Sequence, residues 1–308
     1  MTWAGPALLL VIMQLIVASL MALNLGFYEP PPVEKYFGTA LLPVIGYGAW
    51  MTLWNLRDRP EKPLRHLSSI DWTPLGRMTA AMALVWLQFV ALTWMKAMIP
   101  LVTGMWADLP LADLEAAILG QDAWRLLPPP NKPLEFIYLT WPLVVCGAFV
   151  ANFLGRRPNR EQALLAFFLT VGLLGVFGQY LLPSGGPIFW ERLGFGDRFA
   201  AIEIPNRTLG AADRLWAAYQ GHAISFASGI SAFPSIHVAT TAWIAITIRR
   251  WLGYAYLAVI FLGSIILGWH YALDGVAGIV GAVICYALAK AILRLPVPQL
   301  GPSGNRVA

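Results

Sequence analysis

Charge is what this sequence has least of. Only 12% of its 308 residues are Asp, Glu, Lys or Arg, against 58% hydrophobic. A soluble globular domain carries about a quarter charged residues. So few charges cannot coat a water-exposed surface of this size, which excludes an ordinary soluble domain and points to a membrane. Cysteine is scarce too. Cys146 and Cys285 each lie inside a long apolar run, which argues against a structural disulfide and for free thiols packed as small hydrophobes. No Cys–His spacing suits a structural zinc site. Low-complexity stretches and clear internal repeats are also missing. The net charge of +5 does not imply a nucleic-acid partner, because the basic residues sit in short loops between apolar segments.

Long apolar runs are plentiful. A membrane span needs about 20 mostly apolar residues, and eight segments approach this: 3–27, 36–56, 78–99, 136–155, 162–183, 232–248, 251–269 and 271–290. The expected fold is therefore an all-α, polytopic transmembrane bundle of about eight spans. The first segment has no basic residue before it and is too long for a signal-peptide core, so it is expected to be a retained span. Charge bias sets the orientation. With the amino terminus in the cytoplasm, the cytoplasmic side holds 13 of the 21 basic residues and four of the 16 acidic ones. Both termini are then cytoplasmic. Two long segments, 106–135 and 184–231, face the other side. The first contains an acidic amphipathic stretch, Leu111 to Leu126, expected to lie as a helix on the surface. The second is rich in Gly, Pro and Arg, and long ordered loops between spans are more often functional than idle. The fourteen tryptophans cluster near span ends, as an interfacial belt would place them. The tail 295–308, rich in Pro and Gly, is expected to be disordered.

Four histidines are present. His66 and His222 fall in loops and read as solvated polar residues. His237 and His270 sit at the outer ends of apolar spans, where an ionisable side chain is costly without a partner or a task. Asp274 follows His270 at i+4, on the same helix face. Its carboxylate can accept one imidazole proton, fix the tautomer and leave the other nitrogen as a free lone pair. Such a histidine is a nucleophile or a base, although the same pair also serves to lock two helices. His237 closes the run Ala232-Phe233-Pro234-Ser235-Ile236-His237. Proline suits a first helical turn, and amides near Ser235 would form an anion seat at a helix amino terminus. Gly229 would let backbone approach a ligand closely. Pro183-Ser184-Gly185-Gly186-Pro187 forms a tight turn, followed by Arg192, whose guanidinium suits phosphate. These pieces share one side of the membrane. Two other readings remain open from the residues alone: a zinc site made by His237, His270 and Asp274, and a transport path lined by the polar trio.

These residues resemble the type-2 phosphatidic acid phosphatase superfamily, whose motifs are K-x6-R-P, P-S-G-H and S-R-x5-H-x3-D. Pro234-Ser235-Ile236-His237 matches the second, with Ile236 in place of glycine, and His270 with Asp274 matches the end of the third. K-x6-R-P is absent, and the Ser-Arg pair expected before His270 is Gly263-Ser264. The string His270-Tyr271-Ala272-Leu273-Asp274 is similar to that of the inositol phosphorylceramide synthase and sphingomyelin synthase branch. The resemblance covers roughly residues 78–290. It implies a six-span catalytic core, 78–294, preceded by two extra spans and a basic loop in 1–77. It further implies a multi-pass protein of the cell membrane with an extracytoplasmic site. His270 is the implied nucleophile, Asp274 its orienting partner and His237 the acid and base. Ser235, Gly186, Gly229 and Arg192 are the implied substrate-binding residues. The substrate implied is a lipid phosphate ester, with a lipid hydroxyl as a possible acceptor, and neither metal nor cofactor is expected.

Overall fold

The computed structural model describes residues 2–58, 60–224 and 229–295, and these form helices and no strands. In chain order the helices are α1 (Ala4–Leu25), α2 (Val33–Leu56), α3 (Pro63–Ser68), α4 (Thr73–Val102), α5 (Asp108–Leu119) and α6 (Lys132–Leu139). There follow α7 (Trp141–Leu154), α8 (Arg160–Leu169), α9 (Asn206–Gln220), α10 (Ile236–Ile248), α11 (Trp251–Ile266) and α12 (Ala272–Ile292). The helix of α8 continues through a π-helical stretch, Thr170–Phe177, and a 3-10 turn to Tyr180. The expected tail lies outside the described residues from 296 onward.

Each of the eight apolar segments falls on a helix. By length and composition, α1, α4, the Arg160–Tyr180 helix and α12 are apolar enough to cross a membrane, and the bent pair α6–α7 makes a fifth. α10 and α11, with 13 and 16 residues, are shorter than the expected spans. The reason is local: residues 229–234 before α10 and 267–271 after α11 leave the helix to build the site. α2 contains Pro43 and begins with the charged residues Glu34 and Lys35, which dilute its hydropathy.

The centre of the bundle is α4, α8, α10 and α12, with α1 and α2 laid against α4. Its core includes Trp3, Phe149, Phe167, Phe168 and Trp243, all fully buried. A hydrogen bond from the Trp243 indole to the Ala163 carbonyl, 2.8 Å, ties α10 to α8. Gln88 of α4 donates to Gln14 of α1 at 2.8 Å, both fully buried, the kind of polar pair that joins helices inside a bilayer. α12 meets α10 closely because position 278 is glycine. A Cβ there would stand 2.6 Å from the Ser235 carbonyl oxygen. This contact brings the start of α12, with Asp274, against the start of α10, with His237.

The single expected span 136–155 is broken. α6 and α7 meet at Thr140 with a 44° bend. Pro142, in the first turn of α7, has no N–H to continue the ladder from α6, and the Thr140 hydroxyl turns back onto the Ile137 carbonyl at 2.6 Å. The bend points Tyr138 and Trp141 to the same place, the His237 ring.

Helix directions separate two ends of the molecule. The first residues of α7, α10 and α12 and the last turns of α4 lie at one end, capped by α5, α6, α9 and the connection 181–205. Arg77, Arg156, Arg157, Arg160, Arg249, Arg250, Lys290 and Arg294 lie at the other.

Candidate active site

His237 occupies the first turn of α10 and His270 the short connection before α12. The structure brings them together: His270 Nε2 is 3.5 Å from His237 Nδ1, and His270 Nδ1 is 3.3 Å from Asp274 Oδ2. Asp274 is fully buried and His270 only 4% exposed. The same Asp274 oxygen accepts the Tyr271 amide at 2.9 Å. Its other oxygen is buried without a partner. In the tautomer that carries the proton on Nδ1, toward the carboxylate, Nε2 keeps the lone pair and faces His237; the ring also bonds the Ala232 backbone. Asp274 and His237 thus flank opposite edges of the His270 ring. This arrangement cannot converge three ligands on one ion, and among the described residues no group of three or more His, Cys, Asp or Glu side chains does so.

His237 is half-buried, stacked on Tyr138 at 5.2 Å between centroids and tilted against Trp141 at 4.3 Å. The Trp141 indole is fixed by donation to Thr240 at 2.8 Å. The two aromatic side chains fix the imidazole plane and exclude water from one side. Neither belonged to the expected site; their i, i+3 spacing was hidden because tryptophans at span ends read as an interfacial belt.

Lys96, near the end of α4, is the other unexpected member. Its ammonium acts electrostatically on both His237 and His270. Gly229, with φ +97°, lies on the Lys96 backbone so tightly that a Cβ would overlap it. So Gly229 does permit a close approach, to α4 rather than to a ligand. An ionisable residue inside an apolar run was the available signal.

The other expected binding residues are placed as follows. Ser235 is fully buried; its hydroxyl accepts the Val238 amide at 3.3 Å as a helix cap and its amide donates to the Asp274 carbonyl at 3.0 Å. The hydroxyl caps α10, and the amide holds α10 to α12. The amides of Ile236 and His237, in the first turn, have no protein acceptor among the described residues, leaving that helix end open to an anion. Gly186 has φ +88° and packs on the Trp269 carbonyl, where no side chain fits. Its amide donates to Asp108 Oδ1 at 2.8 Å, and the Gly185 amide to Oδ2 at 2.7 Å. Arg192 pairs with Asp213 of α9 at 2.5 Å, and among the described residues no contact joins it to either histidine. Arg198 likewise serves the scaffold, bonded to Asp113 and Asp122.

The stretch expected to lie on the surface is instead a brace. α5 buries Asp108 and Glu115, two turns apart on one face. Asp108 also accepts the Tyr271 hydroxyl at 2.8 Å. Glu115 accepts the Ala123 amide at 3.0 Å and the Ala272 amide at the start of α12. Burial raises the Asp108 carboxyl to about 6, against the opposing pull of the Gly185 and Gly186 amides and the Tyr271 hydroxyl, and burial raises Glu115 as well. Further hydrogen bonds run from the Ala232 amide to the Ser184 carbonyl, 2.7 Å, and from the Phe233 amide to the Ser184 hydroxyl, 3.1 Å. The Pro183–Pro187 turn is thus the clamp between the two histidine-bearing segments.

A family model described as the PAP2 superfamily matches residues 117–288, more than half of the chain. No curated protein and no solved structure matches significantly.

Proposed function

The chain belongs to the PAP2 superfamily, whose members are generally phosphatases or phosphotransferases, and we propose that it removes or transfers a phosphate-bearing head-group on a lipid through a phosphohistidine. The observation that carries this reading is the 3.5 Å approach of His237 to His270 with Asp274 behind the latter. His270 Nε2 attacks phosphorus, forming a P–N bond as the bond to the leaving oxygen breaks. Asp274 compensates the charge that develops on the ring. His237 donates its proton to the leaving oxygen. It then takes a proton from water or a lipid hydroxyl, which attacks phosphorus and breaks the P–N bond. Water gives hydrolysis, and a lipid hydroxyl gives transfer. Lys96 and the open first-turn amides of α10 neutralise the phosphoryl oxygens, the electrostatic part of such catalysis. At 3.5 Å the two nitrogens are closer than an in-line displacement allows, since phosphorus must stand between attacking and leaving atoms. In the proposed reaction the bound phosphate therefore lies between the two rings and widens this gap.

A lipid substrate suits a site at the end of apolar helices. The His-Tyr-x-x-Asp string favours transfer to a lipid hydroxyl as a second reading. Incubation of purified protein with a labelled lipid phosphate, with and without a diacylglycerol or ceramide acceptor and with a chelator present, separates the two. Activity is expected to vanish in His270→Ala, and His237→Ala is expected to be slower by about a hundredfold to ten-thousandfold. Full turnover in His270→Ala would remove the nucleophile and the reading with it.

A further inference from the structure

At the far end of α4 and α7 from the histidines lies a cleft of about 510 Å3. Four arginines line it: Arg77 from the first turns of α4, Arg156 and Arg157 from the α7–α8 connection, and Arg160 from the start of α8. One acid, Glu161, shares the wall, and it is already engaged by the Thr2 hydroxyl at 2.7 Å and the Trp3 amide at 3.1 Å. Among the described residues, none of the four guanidiniums has a carboxylate within ion-pair distance. Arg160 lies over the Phe153 ring at 5.2 Å, and its Nε is buried with no hydrogen-bond partner. Arg157 is fixed by donation to the Thr247 carbonyl at 3.0 Å. Arg77, Arg156 and Arg157 are exposed and Arg160 is half-buried, so the cleft presents an excess of partly ordered positive charge that attracts an anion, and guanidiniums match phosphate oxygens in a fork geometry.

The remaining wall is apolar. Tyr47, Phe153 and Leu154 close it. Tyr47 begins an aromatic ladder, stacked on Trp50 at 5.7 Å, which stacks on Trp54 at 5.8 Å. Both tryptophans are 53% exposed, as interfacial aromatics beside lipid head-groups are. We infer that this cleft binds the phosphate-bearing head-group of an anionic phospholipid in the monolayer facing away from the catalytic histidines. Its acyl chains run along α2 and α7, and its phosphate bridges the ends of α4, α7 and α8. A soluble phosphate ester offers the same oxygens without the chains. The site stands independently of the reaction proposed above.

The test uses the full chain purified in detergent, with bound lipid read by native mass spectrometry and stability by thermal melting. Phosphatidylglycerol is expected to bind and raise the melting temperature, whereas phosphatidylcholine and glycerol phosphate at equal concentration are not. Arg156→Gln and Arg160→Gln are each expected to weaken phosphatidylglycerol binding on the order of fivefold. The pair Arg249→Gln and Arg250→Gln, at the same end but outside the cleft, should leave it unchanged. Equal loss in that control pair reduces the effect to general surface charge and overturns the inference. Glycerol phosphate competing as well as the lipid overturns the lipid assignment. Should the cleft variants not fold, the wild-type comparison still decides: equal retention of both phospholipids sinks the site.

Discussion

Lys96 stands near the end of a mostly apolar helix with no carboxylate paired to it among the described residues. A charge in that position is retained for a task, and in the proposed reaction it would seat a phosphoryl oxygen. The superfamily pattern lacks its Ser-Arg pair here, and in the proposed reaction Lys96 would supply a cation from another helix. Lys96→Met is expected to lower kcat by about a hundredfold to a thousandfold, with Lys96→Arg restoring part of it. The melting temperature should not fall, because a half-buried methionine costs less than a half-buried, unpaired ammonium. Unchanged kcat in Lys96→Met would remove the cation from the mechanism. The histidine pair and Asp274 were legible in the sequence because ionisable residues at the ends of apolar runs stand out. Lys96 was not, because it entered only the tally of basic residues on one side.

Helix α5 shows what pattern alone conceals. Its acidic, amphipathic sequence reads as a helix floating on the surface. The structure turns the acids inward because they have backbone donors to meet: two glycine amides, the first amide of α12 and the Tyr271 hydroxyl. Those partners lie 77 and more residues away, so no local spacing announces them. The bend at Thr140 was lost for a different reason. A window long enough to recognise a span averages across it, although Pro142 marked the place. The brace also carries a pH dependence. Burial raises the Asp108 carboxyl to about 6 in the folded state, above its unfolded value of about 3.9. The folded protein therefore binds the extra proton, and stability is greatest below the unfolded value and falls as pH rises through about 6. Two units correspond to roughly 3 kcal/mol between the limits. The melting temperature should thus rise as pH is lowered from 7 towards 5, and Asp108→Asn should flatten that rise. A melting profile that Asp108→Asn leaves as steep as before would show that the carboxyl does not titrate in this range.

At the scale of the whole molecule, the helices separate a catalytic end from an arginine-rich end. The all-helical fold was foreseeable from hydropathy, whereas the site wall that shortens α10 and α11 was not. If the arginine-rich end is cytoplasmic, a membrane-impermeant maleimide applied to intact cells should label Glu191→Cys and not Arg250→Cys, in a background with Cys146 and Cys285 replaced by alanine. The reverse pattern would invert the orientation. Either way, if the reaction is the one proposed, the separation of ends means that turnover would change the composition of one monolayer alone. Cutting or exchanging head-groups there would alter molecular area and spontaneous curvature on that side only, so the proposed chemistry would also exert a mechanical stress across the sheet in which the protein sits.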